Sequence, residues 1–430
     1  MFLKNKIARN AGWIILCRII QAVLNLVVTM MTARLMGPSN YGLINYAASV
    51  VAFAVPVMQL GLDSILVQLF VTEPDRDGEI VGTSYVLCSV SALLSMLGVA
   101  AFVAVSTPGE TETLVVCVLY SLILIFQAFE LVQYWFQAKY LSKYTSIAML
   151  AAYFVVAVYK IVLLLLGCSI YWFAIAQAID YLIIAVALFV IFKRLGGGKL
   201  RFSLERARSM LSKSRYYIVS SMMVTVFAQT DKIMLKLMLG DEATGYYSTA
   251  AVCAGMTAFV FAAIIDSARP AILGSYGKDT AAFEKNVSRL YSVIIYLSLL
   301  QCVGMTVFAD LIIGILYGSE YALSVLPLRI IVWYTTFSYL GAVRNVWILA
   351  ESRQKYLWII NLSGALCNVA LNFALIPLWG VPGAAAASLI TQIVTNVFTG
   401  FIIKPIRKNN ILMLRGLNPK LIVEMIKTSP

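Results

Sequence analysis

Histidine is absent from this chain of 430 residues, and charge is scarce: Asp, Glu, Lys and Arg make up only 12% of it. A soluble globular protein carries about a quarter charged residues. Without histidine the chain lacks the commonest general base, proton shuttle and metal ligand, which counts against a catalytic site or a metal centre. Seven cysteines (Cys17, Cys88, Cys117, Cys168, Cys253, Cys302, Cys367) lie within or at the edge of apolar segments, none with a CxxC partner. Neither a disulfide framework nor a zinc site is implied, and no cofactor is expected. Hydrophilic sequence is lacking too. Its longest stretch runs from Lys193 to Tyr216, too short for a water-soluble domain. The first apolar segment follows basic residues and has no small-residue cleavage pattern, so it is expected to remain as the first helix.

What is there is apolar: 61% of the residues are hydrophobic. They fall into twelve segments, 12–36, 41–69, 80–106, 112–138, 143–167, 169–192, 213–239, 243–270, 287–316, 321–350, 354–378 and 381–403. Each exceeds the roughly 20 residues that a helix needs to cross ~30 Å of hydrocarbon. The basic residues alternate with them. Lys4, Lys6 and Arg9 precede the first segment. Arg76, then Lys139 and Lys143, then the run from Lys193 to Arg215, then Lys278 and Lys285, then Arg353 and Lys355 fill every second gap. The other gaps (STPGETET, LGCS, GDEAT, YGSE, WGVPG) hold almost none, with Arg34 at the edge of the first. By the positive-inside rule both termini are cytoplasmic. The net charge of +13 lies in short loops beside helix ends. That pattern points to anionic membrane lipids as partners, not to nucleic acid.

The chain reads as a duplication. LMGPSNYGLINYAAS (35–49) aligns with MLGDEATGYYSTAAV (238–252), matching Gly37 to Gly240 and Gly42 to Gly245. YWFQAKYLSKY (134–144) aligns with VWILAESRQKY (346–356), matching Trp135 to Trp347 and Lys143 to Lys355. Both pairings give six helices per half. Six is even, so the halves enter the membrane from the same side and form parallel repeats. The fold class expected is an all-α polytopic membrane protein. Its twelve transmembrane helices form two pseudo-symmetric six-helix bundles around a central cleft. The expected domains are a first bundle at 1–195, a basic cytoplasmic linker at 196–212, a second bundle at 213–403 and a basic tail at 404–430. Within the linker, Ser203 is placed to cap a short helix that either lies on the membrane surface or is simply solvated.

Charges inside spans cost at least ~2.5–3.5 kcal/mol each at the bilayer centre, so they face partners or a wet cavity. At 1.5 Å per residue, Arg344, Lys232, Lys160 and Arg329 lie about 10–13 Å from the nearest helix end, and Arg18 about 9 Å. These five are the candidate substrate-binding cations. Lys236, Asp266 and Arg269 sit near helix ends and are expected to snorkel or pair locally. Asp180 is closest to the midplane. With Asp231 and Glu130 it is a candidate for ion or proton coupling, an ion pair with Lys160 being the structural alternative. Pro56, Gly61 and Pro327 are expected to interrupt helices, and Pro270 to end one. Tyr153, Tyr159, Trp172, Tyr181, Trp333 and Tyr334 are placed either to stack on sugar faces or to fill lipid-facing and core positions.

The stretches TARLMGPSNYGLINYAASVVAF (32–53), QTDKIMLKLMLGDEATGYYSTAA (229–251), LYGSEYALSVLPLRIIVW (316–333) and the block from Glu351 to Ala387 resemble polysaccharide flippases of the Wzx/RfbX type. The resemblance implies membership of the multidrug/oligosaccharidyl-lipid/polysaccharide (MOP) exporter superfamily. It implies a flippase that carries a polyprenyl-pyrophosphate-linked oligosaccharide, as in O-antigen or lipopolysaccharide synthesis, across the bacterial inner membrane by alternating access. It also implies a lipid-linked oligosaccharide substrate, with a polysaccharide polymerase and a chain-length regulator as partners. Cavity cations of that family are matched here by Arg18, Lys232 and Arg344. An ion-coupled multidrug antiporter of the same superfamily is the alternative, with a membrane-embedded polysaccharide-assembly enzyme behind it. An antiporter favours an acidic cavity, whereas the deep charges here are mostly basic. The charge asymmetry has a direct check. A reporter inserted after Lys278 is expected to read cytoplasmic and one inserted after Gly240 periplasmic; the opposite pair of readings would invert the topology.

Overall fold

The computed structural model describes residues 2–421, with side chains from 20 onward except at 22 and 220. Every regular element among them is helical. Among the described residues, eleven helices are long and apolar enough to cross a membrane. The first is a merged pair: Phe2–Gln59 contains Gly37 at φ 75°, ψ 167°, outside helical space. Splitting it there gives α1 (2–36) and α2 (38–59) and brings the count to twelve. The others are α3 (Asp77–Ser106), α4 (Thr111–Ala138), α5 (Ser142–Leu165), α6 (Ile170–Arg194), α7 (Leu204–Leu239), α8 (241–275), α9 (Thr280–Val307), α10 (Val325–Ala350), α11 (Leu357–Trp379) and α12 (Val381–Ile402). A shorter helix, α13 (Arg407–Arg415), follows. By contacts the chain divides into two compact units, Met1–Gln229 and Thr230–Pro430, the division falling inside α7.

Packing inside the units is that of a membrane protein. On α3, Ser84, Cys88, Ser91, Ala92 and Ser95 are buried, while Val90, Leu93, Leu94 and Leu97 are exposed. Small residues let helices approach closely where lipid is as apolar as leucine. Two of the buried hydroxyls find backbone carbonyls: Ser84 Oγ donates to that of Ile80 on its own helix (2.8 Å) and Ser91 Oγ to that of Val57 on α2 (2.9 Å). In the core of the second unit Phe261 and Tyr339 stack 4.0 Å apart at 13°.

The duplication has a backbone signature. Gly240, between α7 and α8, has φ 93°, ψ −174°, close to the conformation of its counterpart Gly37. Only glycine enters that region without strain. The second pairing repeats a whole turn. Tyr140 (φ 59°) and Ser352 (φ 53°) are both left-handed. The amides of Lys139, Tyr140 and Leu141 bond the carbonyls of Trp135, Gln137 and Phe136; those of Glu351, Ser352 and Arg353 bond Trp347, Leu349 and Ile348. The two turns correspond residue for residue.

The region 196–212 differs from the short helix expected there. Ser203 does cap, its Oγ accepting from the Arg206 amide at 3.2 Å. The helix it starts, however, continues without a break to Leu239. Arg206 is not turned to lipid: it is 8% exposed and pairs with Glu73 (2.7 Å) and Glu79 (3.3 Å). Just upstream, the Arg201 amide bonds the Gly78 carbonyl (3.2 Å) and the Ser203 amide bonds Thr83 Oγ1 (3.2 Å). The prolines also differ from expectation. Pro327 lies in the first turn of α10, where a missing N–H costs nothing, and α8 continues past Pro270 to Ser275.

The segment before α7 crosses α3 so closely that a Cβ on Gly78 would lie 2.2 Å from the Lys199 carbonyl oxygen, and one on Gly82 2.5 Å from that of Arg201. Backbone cannot give way as a side-chain tip does. Gly78→Ala and Gly82→Ala are each expected to cost about 1–3 kcal/mol, read as a lowered Tm of the purified protein. Gly98→Ala, with nothing within 4 Å, is the control expected to melt like the parent.

Candidate functional site

Each unit holds a polar constellation within its membrane-spanning helices. In the first unit it is a cavity of about 660 Å³, lined by α1, α4, α5 and α6. Gln21 and Asn25 come from one face of α1, four residues apart; Tyr120 and Glu130 come from α4. Tyr153 and Lys160 come from α5, and Gln177, Asp180 and Tyr181 from α6. Residues three or four apart share a helix face, which is how four apolar helices direct this many polar groups to one place. Asp180 is 6% exposed and Glu130 7%. Gln177 Nε2 donates to Asp180 Oδ2 at 3.4 Å, and Asp180 Oδ1 has no hydrogen-bond partner. The Tyr153 hydroxyl donates to Asn25 Oδ1 at 2.9 Å.

In the second unit the centre is Asp231 on α7, 6% exposed. Asn368 Nδ2 (2.9 Å) and Asn372 Nδ2 (2.6 Å) donate to its Oδ1. The hydroxyls of Tyr247 and Ser388 donate to its Oδ2. Four neutral donors from α8, α11 and α12 thus converge on one carboxylate. Hydrogen bonds to a charged group contribute about 1.5–3 kcal/mol each, and together they offset much of the cost of burial.

The sequence candidates distribute over these sites as follows. Lys160, Asp180 and Glu130 line one cavity, and Asp231 anchors the other constellation. Lys232, half-buried, follows Asp231 on α7. Arg344 is 4% exposed and donates Nη1 to the Thr395 carbonyl at 3.0 Å, beside the π-helical turn Val394–Phe398 of α12. A π turn breaks the usual i→i+4 pairing, and its Nε is left without a partner. Arg329 is not the unpaired deep cation its depth suggested: it forms an ion pair with Asp310, and both are well exposed. Arg18 lies outside the residues whose side chains are described. Lys236 pairs with Asp241 (2.7 Å) and Arg269 with Asp266 (2.9 Å), the local pairing expected of them.

Sequence reading missed Asn25, Gln177, Asn368, Asn372 and Ser388. The signal was present: Asn368 and Asn372 sit four apart in CNVALNF, and Gln177 and Asp180 three apart in QAID. Amides repeating on one face of an apolar helix mark a buried polar site as a charge does.

Twelve spans among the described residues, with buried ionisable groups in each unit, define a polytopic helical membrane protein. The profile of the family described as "Polysaccharide biosynthesis protein" matches residues 7–275, and the chain belongs to that family. It is 23% identical over 399 residues to the capsular polysaccharide biosynthesis protein CapF of Staphylococcus aureus, covering 90% of this chain and 96% of that protein. It is 24% identical over 196 residues to the probable low-salt glycan biosynthesis flippase Agl15 of Haloferax volcanii, covering 45% of this chain and 42% of that one. Among solved structures it shares the fold of the lipid II flippase MurJ in an inward closed conformation, with TM-score 0.73, 16% identity and coverage of 97% and 93%. It also shares that of an inward-facing multidrug resistance MATE family transporter of the MOP superfamily, with TM-score 0.69, 12% identity and coverage of 95% and 96%.

Removing one donor from Asp231 leaves the buried carboxylate short of a partner. Asn372→Leu is expected to cost about 1–3 kcal/mol, read as a lower Tm in detergent. An unchanged Tm would mean the amide does not bear on the carboxylate.

Proposed function

We propose that this protein carries a polyprenyl-pyrophosphate-linked oligosaccharide from the cytoplasmic to the outer leaflet of a bacterial inner membrane, by alternating access, with both termini cytoplasmic. The observation that carries the reading is the polar cavity of the first unit, built inside apolar spans of a chain that belongs to a polysaccharide biosynthesis family. A membrane scaffold gains nothing from burying Glu130, Lys160 and Asp180 around open space, because each is expensive there. A translocated glycan needs that space. The names of CapF and Agl15 point the same way.

In this reading the diphosphate of the substrate meets cations. Lys232 and Arg344 are the proposed partners, and Arg18 is a third candidate from the sequence. A diphosphate accepts charge-assisted hydrogen bonds from several cations, Arg often bidentate. Arg329 has Asp310 to neutralise it, and Lys160 shares its cavity with two carboxyl groups, so both are secondary. Asp180, with Asp231 and Glu130, is proposed to couple an ion or proton gradient to transport. A polysaccharide polymerase and a chain-length regulator would act on the delivered glycan.

One observation favours a second reading. The cavity of the first unit has two carboxyl groups against one amine, a balance that suits an organic cation and hence an ion-coupled multidrug antiporter. A single comparison separates the two. Cells lacking the protein are expected to accumulate lipid-linked glycan in the cytoplasmic leaflet, with dye efflux unchanged; altered efflux with normal leaflet distribution would favour the antiporter. At matched membrane expression, Lys232→Ala and Arg344→Ala are expected to lower surface glycan about tenfold or more, since a lost charged partner is worth at least ~1.5 kcal/mol. Arg344→Lys should be nearly as severe if the contact is bidentate. Normal export by both alanine variants would remove these cations from the mechanism.

A further inference from the structure

We propose that the cavity of the first unit is a carbohydrate subsite that takes an uncharged sugar ring of the glycan and rejects anionic sugars and the diphosphate. The inference deepens the flippase reading and rests on it. Three features of the wall carry it.

The first is chemistry. The cavity presents carboxamides (Asn25, Gln177), phenols (Tyr153, Tyr181) and carboxyl groups (Glu130, Asp180) together. A sugar ring offers hydroxyls that both donate and accept, on a body whose C–H faces suit aromatic rings. Carboxylates and carboxamide oxygens take the hydroxyl protons; carboxamide N–H groups and phenols supply donors. Asn25 Oδ1 is already occupied by the Tyr153 hydroxyl (2.9 Å), which leaves the Asn25 Nδ2 end to donate.

The second is an unmet demand. Asp180 is 94% buried by its 6% exposure, lines the cavity, and has an Oδ1 with no hydrogen-bond partner. Its other oxygen holds only the long 3.4 Å bond from Gln177. A buried acceptor left unmade is unfavourable, and a rotation of the side chain toward the cavity would bring it to a ligand hydroxyl.

The third is charge. Glu130 and Asp180 outnumber Lys160, so an anionic group entering here finds no surplus cation to neutralise it where the dielectric is low. A uronate or a diphosphate is therefore turned away. At about 660 Å³ the space falls in the range of about 300–1,000 Å³ typical of small-molecule sites.

The test uses the full-length protein in lipid nanodiscs and saturation-transfer NMR with four probes: methyl glucoside, glucuronate, inorganic pyrophosphate and rhodamine 6G. Methyl glucoside is expected to receive saturation from the parent protein, and glucuronate is not. Asn25→Leu and Tyr153→Ala should each weaken the glucoside about tenfold, the loss of one buried hydrogen bond or ring contact. The double variant Glu130→Gln/Asp180→Asn should admit glucuronate, a gain that misfolding cannot produce. The proposal is overturned if glucuronate already binds the parent as well as the glucoside does. It is also overturned if pyrophosphate or rhodamine 6G displaces the glucoside, or if Asn25→Leu and Tyr153→Ala leave its signal unchanged while melting like the parent. Leaflet distribution of lipid-linked glycan in cells is measured separately. Normal flipping with a failed NMR result rejects the subsite alone; failed flipping rejects the reading beneath it.

Discussion

The hydrocarbon solvent is the constraint on which the rest of this structure depends. With no water to satisfy N–H and C=O groups, every span must satisfy its own backbone, and helices do so completely. The same solvent removes the usual reason for burying leucine. On α3 the leucines face outward and the serines, alanine and cysteine face inward, because close packing and hydroxyl-to-carbonyl bonds are what hold helices together there. Polar side chains then become the specific contacts, and each must be matched.

Matching is done differently in the two units. Asp231 is surrounded by four donors, two on each of its oxygens. Asp180 is buried to a similar degree but has one oxygen without a hydrogen-bond partner and lines a cavity. The first arrangement ties helices α7, α8, α11 and α12 together through one carboxyl group. The second suits a group that waits for a ligand. The duplicated halves thus share a backbone plan, down to the paired turns after Trp135 and Trp347, while their interiors have diverged in chemistry.

Much of the fold was legible in the sequence because the physics that sets it is local and additive. Apolar length gave the spans, lysine and arginine placement gave the expected topology, and the Gly37/Gly240 and Trp135/Trp347 alignments found turns that the backbone repeats. The local pairs of Lys236 and Arg269 followed from their nearness to helix ends. Two readings went astray for one reason. The helix after Ser203 reads as a surface or solvated one and Arg329 as an unpaired deep cation, yet Glu73 and Glu79 pair with Arg206 of that helix, and Asp310 with Arg329. Depth along a helix can be counted from sequence; the partner across an interface cannot.

The sequence by itself therefore determined the class of protein, the number of crossings, the duplication and the inventory of buried ionisable groups, since hydrophobic length and charge are properties of each segment alone. Tertiary structure decided which of those groups meet. It gathered Asn368, Asn372, Tyr247 and Ser388 on Asp231, and it gave the first unit's cavity an excess of carboxyl groups where the list of deep charges read as basic. Contacts between helices depend on the rotation of each about its own axis. That angle is set by packing summed over the whole bundle, and no one segment encodes it.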